Sequence, residues 1–216
     1  MEGEIGMENP IEMNKSGCAQ AAHEAQAPSG CAHHHSEKAT ELLSDEHRVI
    51  ERVLAVVEKL AAAPVEGRLD SWKQALDFIR HFADGCHHLK EEKILFPAME
   101  ARGTPRDGGP IGMMLMEHEE GRSYVRSMLA AIALVETKNE AAKEVLIEYA
   151  KAYLRLLKDH IQKEDEILFR IADDVISPDE QKQLLRSFEE HEATEIGEGV
   201  HEKYLKIAEE LEAKTR

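Results

Sequence analysis

Aromatic residues are scarce in this sequence, at 5% of 216 residues with a single tryptophan. Alanine, leucine, glutamate and lysine are plentiful instead, which favours helices over sheet. Basic residues are in deficit: 27 Lys and Arg stand against 43 Asp and Glu, a formal net charge of -16. Binding to nucleic acid or to an anionic membrane surface is therefore disfavoured. No apolar run approaches a membrane span. The acidic stretch Met1 to Pro10 lacks the continuous apolar segment of a signal peptide. Cysteine is rare too, and three residues cannot make a disulfide framework in a chain this size. The expected location is the cytoplasm. What the chain has in quantity is histidine, twelve in all, a first hint of metal.

Residues 1–38 are small, polar and aperiodic, and cannot bury enough apolar surface to fold alone. Their Cys18, His23, Cys31, His33, His34 and His35 lack the spacing of a zinc site and read as a solvated tail. Four helical stretches follow: Thr40 to Ala63, Leu69 to Met99, Pro110 to Thr137 and Glu140 to Asp173. A fifth is announced by Ser177-Pro178-Asp179-Glu180. Short connections between long amphipathic helices predict an all-α, up-down-up-down four-helix bundle over 39–176, with an additional C-terminal helix over 177–216. Helices two and four echo each other. Cys86-His87-His88-Leu89-Lys90-Glu91-Glu92-Lys93-Ile94-Leu95-Phe96 aligns with Asp159-His160-Ile161-Gln162-Lys163-Glu164-Asp165-Glu166-Ile167-Leu168-Phe169 at a constant offset.

A histidine and a glutamate four apart on a helix point the same way. The chain has six such pairs: His33/Glu37, His47/Glu51, His87/Glu91, His88/Glu92, His160/Glu164 and His191/Glu195. Their place on the helix face separates them. At about 100° per residue, Leu146, Tyr149, Tyr153, Leu157, Ile167 and Ile171 surround His160, and Glu164 falls in the same arc. In helix three, Ile111, Met114, Leu115, Val125, Leu129 and Ile132 surround His118. Gly121 and Arg122 share that face; Gly121 permits close approach, and Arg122 can pair with a carboxylate or guard an open coordination position. In helix one, His47 borders the stripe Leu43, Ile50, Leu54, Val57, Ala61.

Helix two leaves two registers. His87 and Glu91 flank one edge of the apolar arc; His81, His88 and Glu92 share the other. The echo places His87 and Glu91 opposite His160 and Glu164, and the alternative register uses His88 and Glu92 with His81. The candidate ligands are thus His47, His87, Glu91, His118, His160 and Glu164, with His81, His88, Glu92 and Arg122 as supporting or alternative groups. A buried carboxylate must be balanced, and several converging on one core are well balanced by metal. Nitrogen and oxygen donors without thiolate favour iron or manganese over structural zinc. Two carboxylates can bridge two metals with two histidines on each, leaving room for a small ligand.

These residues resemble the hemerythrin-like HHE cation-binding family over about 40–175. The surrounding words match too: Asp45-Glu46-His47, Lys90-Glu91-Glu92, Ile94-Leu95-Phe96-Pro97, Glu117-His118-Glu119-Glu120-Gly121-Arg122 and Lys163-Glu164-Asp165. The resemblance implies two iron ions with an oxo or hydroxo bridge, manganese or zinc being possible substitutes. It implies binding of, or reaction with, oxygen, nitric oxide or hydrogen peroxide, in stress response, sensing or iron handling. The alternative is a metal-poor helical interaction domain without turnover. Ferritin-like bundles use two Glu-x-x-His motifs, and this chain has only Glu198/His201. Oxygen-carrying hemerythrins place a second histidine where Arg122 stands and an aspartate at the spacing of Asp165, which lies off the face. The missing histidine implies two more symmetric metals and argues against simple oxygen carriage. Outside the four helices, His191/Glu195 reads as part of a lid packing through Leu184, Leu185, Phe188 and Ile196, and Cys86 as a small buried filler.

Overall fold

The computed structural model describes residues 36–197 and 199–215. The cysteine- and histidine-bearing stretch before Ser36 lies outside them. The described chain is helical, with no strand among the described residues. Helix α1 is Ala39–Ala61; Pro64 stands three residues beyond its end. Helix α2 spans 69–101, α3 is Pro110–Glu136, α4 spans 141–175, α5 spans 178–196 and α6 is Val200–Lys214. Pro110 and Pro178 occupy first turns, where a missing N–H costs nothing. At α5 the Ser177 hydroxyl accepts from the Glu180 N–H while the Glu180 carboxylate accepts from the Ser177 N–H, a reciprocal cap.

Helices α1 to α4 form the expected up-down-up-down bundle. Ion pairs record its antiparallel registers: Lys38 with Asp173 and Glu58 with Lys158 across α1–α4, and Lys73 with Glu136 and Asp84 with Arg122 across α2–α3. The expected single fifth helix is two. Gly197 and Gly199 take φ of 106° and 76°, a region that disfavours side chains bearing a Cβ, and break it. Helix α6 then lies against α1 and α2, burying Tyr204, Ala208 and Leu211.

The core has two apolar layers. One holds Ile50, Leu54, Trp72, Phe82, Val125 and Leu157. The other holds Leu43, Phe96, Ile111, Met114, Phe169 and Phe188. Every bundle helix crosses from one layer to the other, and at each crossing the sequence turns polar: Glu46-His47, His87 to Glu91, His118 and His160 to Glu164. These buried polar residues make a band between the layers.

Candidate metal centre

The helix backbone changes where the chain crosses this band. In α2, Ile79–His88 and Glu91–Leu95 are π-helical, and in α4 so is Glu164–Leu168. A π turn closes i→i+5 bonds and takes more residues per turn, so consecutive side chains diverge by less than in an α-helix. His87 and His88 therefore both face the bundle axis, their ring centroids 5.6 Å apart. The two registers of helix two collapse into one arrangement that uses both histidines. The same effect moves the apolar face by one residue beyond each glutamate. Leu168 is 1% exposed whereas Ile167, expected on the buried arc, is 54% exposed. Tyr149, expected on that arc too, sits at the outer edge of the α3–α4 seam beside Tyr124.

Seven buried side chains converge. His47, His87, Glu91 and Glu164 bring one donor atom each to within 4.8 Å of one another, and so do His88, Glu91, His118 and His160. Glu91 belongs to both groups. Glu164 also reaches both sides, its Oε2 lying 3.2 Å from His47 Nε2 and 3.2 Å from His160 Nε2. On the three-histidine side the Nε2 atoms of His118 and His160 face each other at 3.2 Å, and His88 stacks on His118 at 4.0 Å. Arg122 replaces a histidine of the oxygen carriers on α3, and His88 from α2 brings the count back to five. The two groups thus contain two and three histidines, where the sequence reading expects two and two.

Seven atoms of these side chains have no hydrogen-bond partner: His47 Nε2, His87 Nε2, His88 Nδ1 and both oxygens of Glu91 and of Glu164. Even a neutral buried polar atom left unmatched costs about 1–3 kcal/mol, and a charged one more. Two carboxylates and five imidazoles, buried and brought together with so many atoms unpartnered, fit a metal-binding centre, and the all-N/O donor set suits iron or manganese.

The other ring nitrogens are held from behind. Asp165 takes His47 Nδ1 at 2.8 Å, Glu46 takes His87 at 2.9 Å, Glu92 takes His118 at 2.7 Å and Glu117 takes His160 at 3.0 Å. Such carboxylates fix the ring orientation and leave Nε2 for the metal. Each is paired in turn with a cation: Arg48 on Asp165, Lys90 on Glu46, Arg122 on Glu92 and Lys163 on Glu117. His88 alone has a looser partner, Asp84 at 3.5 Å, which Arg122 also binds. The pattern has a crosswise rule. Glu46, Glu92, Glu117 and Asp165 each adjoin a candidate ligand in sequence but serve a histidine of another helix, because one residue further round a helix faces its neighbour.

These charges set the proton affinities. Burial opposes charge on His47, His118 and His160, but the surrounding carboxylates overcome it and raise all three, His47 to about 10. Burial likewise opposes the charge on Glu164, yet His160, His118 and His47 hold its carboxyl well below the usual range. His88 moves the other way. Burial and the neighbouring histidines push it down, so it is neutral, the ligating form.

The remaining candidates lie outside the centre. His81 is exposed, bonded to the Asp77 carbonyl and stacked on Tyr204. Glu92 holds His118 rather than facing the centre, and Arg122 is tied to Asp84 and Glu92. Asp165, off the face as expected, has a role there on His47. His191 is buried but belongs to neither donor group, and Glu195 is exposed. A Cβ on Gly121 would meet Leu157 and Tyr153 at ordinary distances of 3.6 Å, so packing does not require glycine there. Gly121 instead lines a cavity of about 140 Å³ that reaches His88 and His118 past Asp84, Arg122 and Tyr153.

A family model described as the hemerythrin HHE cation binding domain matches residues 38–172, which takes in all seven converging residues. Uncharacterized proteins of Mycobacterium bovis and of two Mycobacterium tuberculosis strains are similar, each 27% identical over 163 residues, covering 74% of this chain. The chain spans 63% of the length of these curated relatives. No solved structure matches it significantly.

Proposed function

Since the chain belongs to the hemerythrin HHE cation-binding family, we propose that it holds two iron ions among the four helices α1, α2, α3 and α4 and binds or reacts with a small ligand: oxygen, nitric oxide or hydrogen peroxide. The observation that carries this reading is the set of seven unpartnered polar atoms on the side chains of one buried centre. His47 and His87 would hold one ion, His88, His118 and His160 the other, with Glu91 and Glu164 shared. When bound, the metal pair supplies a redox-active Lewis-acid site for a small ligand.

The chain's own residues set the size and polarity of what arrives. The cavity beside His88 and His118, about 140 Å³, has room for a few water-sized molecules at roughly 30 Å³ each. It is well below the roughly 300 Å³ at which sites for larger organic ligands begin. Arg122 stays in place between Asp84 and Glu92 at its wall. Burial pushes the Tyr153 hydroxyl up, so it keeps its proton and can donate. Ile79 and Val125 add apolar surface to the same wall. The acidic surface and the few cysteines support a cytoplasmic setting. No described helix is long and apolar enough to cross a membrane.

The test is metal analysis of the full chain produced with iron supplied, together with its absorption spectrum. About two irons per chain with near-ultraviolet charge-transfer bands is the expected result. Less than one transition-metal ion per chain overturns it. Steady-state consumption of peroxide or nitric oxide by the loaded protein then separates an enzyme from a sensor.

A further inference from the structure

A second buried polar group lies behind His87, and half of it comes from outside the matched family domain. Lys90 is 0% exposed. Its ammonium contacts Glu46 of α1 and Glu192 at the end of α5. Glu46 is the carboxylate that holds His87 Nδ1. His201, at the start of α6, places Nδ1 within 3.7 Å of the Glu46 oxygen and 3.6 Å of the Glu192 oxygen. Cys86 donates to Glu192 at 3.6 Å. The same four donors, Glu46, Cys86, Glu192 and His201, have the spacing of a cation site, and the Lys90 ammonium fills it.

The other three supporting cations differ. Arg48, Arg122 and Lys163 are all partly exposed, so water can solvate their charge. Lys90 has no such recourse and depends on a second protein carboxylate. Burial works to raise the Glu46 carboxyl, yet Lys90 and His87 hold it down to about 2. The cluster is thus a set of matched polar groups, and two of its members, Glu192 and His201, ride on the segment after the bundle. That segment has a joint at this point: the π turn Glu192–Ile196, then Gly197 and Gly199 in positive φ. Beyond the joint, α6 is held by Arg52 on Glu212 at 2.6 Å and by Tyr204 on Asp77 at 3.1 Å.

We propose that α5 and α6 are a positioning clamp on one half of the metal centre, Glu192 acting through Lys90 and Glu46 on the His87 ring, so that metal loading and docking of α6 favour each other. The inference rests on the dimetal reading above. Glu192 is a positioning residue: it orients a candidate ligand through two intermediaries. Coupling between sites is reciprocal, so metal must tighten the joint as much as the joint tightens metal.

The experiment uses the full chain and cobalt(II) as a spectroscopic probe, titrated into wild type, Glu192→Gln, Glu192→Asp and the exposed control Glu195→Gln. Amide hydrogen exchange over 192–214 is followed with and without cobalt. Wild type should bind two ions and slow exchange in 200–214 on loading. Glu192→Gln should bind one ion as before and the other on the order of tenfold more weakly, and should lose the metal-dependent slowing. Glu192→Asp should recover part of both, and Glu195→Gln should match wild type. Two ions bound equally well by Glu192→Gln, equal weakening of both ions, or exchange in wild-type 200–214 that ignores metal each overturn the clamp. Wild type that binds no cobalt overturns the dimetal reading, and the clamp with it.

Discussion

Helices α2 and α4 carry the same eleven-residue pattern and both turn π-helical at its glutamate, but they use the pattern differently. In α4 the residue after the histidine is Ile161, a core side chain; in α2 it is His88, part of the centre. Lys163 supports Glu117 at the surface, whereas Lys90 supports Glu46 in full burial. The ten-residue π segment that ends at His88 has no counterpart in α4, which is α-helical up to Lys163. One local motif thus makes a two-carboxylate frame, and the surroundings decide how many histidines and how much solvent each copy receives.

The lysine pair gives the largest predicted contrast. Lys90→Met leaves Glu46 and Glu192 unbalanced in the interior and should cost about 3–5 kcal/mol in urea unfolding. Lys163→Met breaks a partly exposed pair and should cost below about 1 kcal/mol. Equal losses would mean that the two copies are equivalent after all. Next comes the register beyond the glutamates. Leu168→Ala should cost roughly 2–5 kcal/mol, while Ile167→Ala should stay within about 0.5 kcal/mol. Reversed values would remove the π turn.

The histidine contrast reads on metal content. His88→Ala should lower affinity at the three-histidine position by about a hundredfold or more, beyond the usual effect of losing a supporting group. His81→Ala should leave both ions bound. An unchanged His88→Ala protein would restore the symmetric arrangement.

A further contrast is in pH. In the metal-free chain the raised histidines contribute stability that is fully present below their unfolded value of about 6.5. It is lost as pH climbs through the folded value, about 10 for His47. Metal-free melting temperature should therefore fall between about pH 6.5 and 10. Metal affinity should rise over the same range, because metal displaces those protons. A metal-free chain whose stability rises with pH there would contradict the charge assignments.

Much of this was legible beforehand. The four bundle helices, their antiparallel order and the convergence of His47, His87, Glu91, His118, His160 and Glu164 follow from periodicity and from the echo between α2 and α4. His88 was ambiguous because a constant 100° per residue puts neighbours on different faces, and nothing in periodicity announces a π turn. The signal that could have raised it was the echo itself, which puts His88 at the place of the core residue Ile161. Glu46 and Glu117 carry no sequence signal of their roles although each adjoins a candidate histidine. An acidic residue beside a ligand reads as a solvated neighbour until the facing helix is placed. Glu192 and His201 had no local signal, since their role depends on where α5 and α6 pack.

The polar band between the two apolar layers also governs how the protein comes apart. Across it the layers communicate through four helix backbones and a lattice of ion pairs, with little hydrocarbon contact. Cooperativity in unfolding comes from packing that loses everything at once. In the metal-free chain each layer should therefore melt with partial independence, and the calorimetric enthalpy should exceed the van't Hoff value. A pair of ions bound to residues from all four helices would rivet the layers together, bring the two enthalpies into agreement and sharpen the transition.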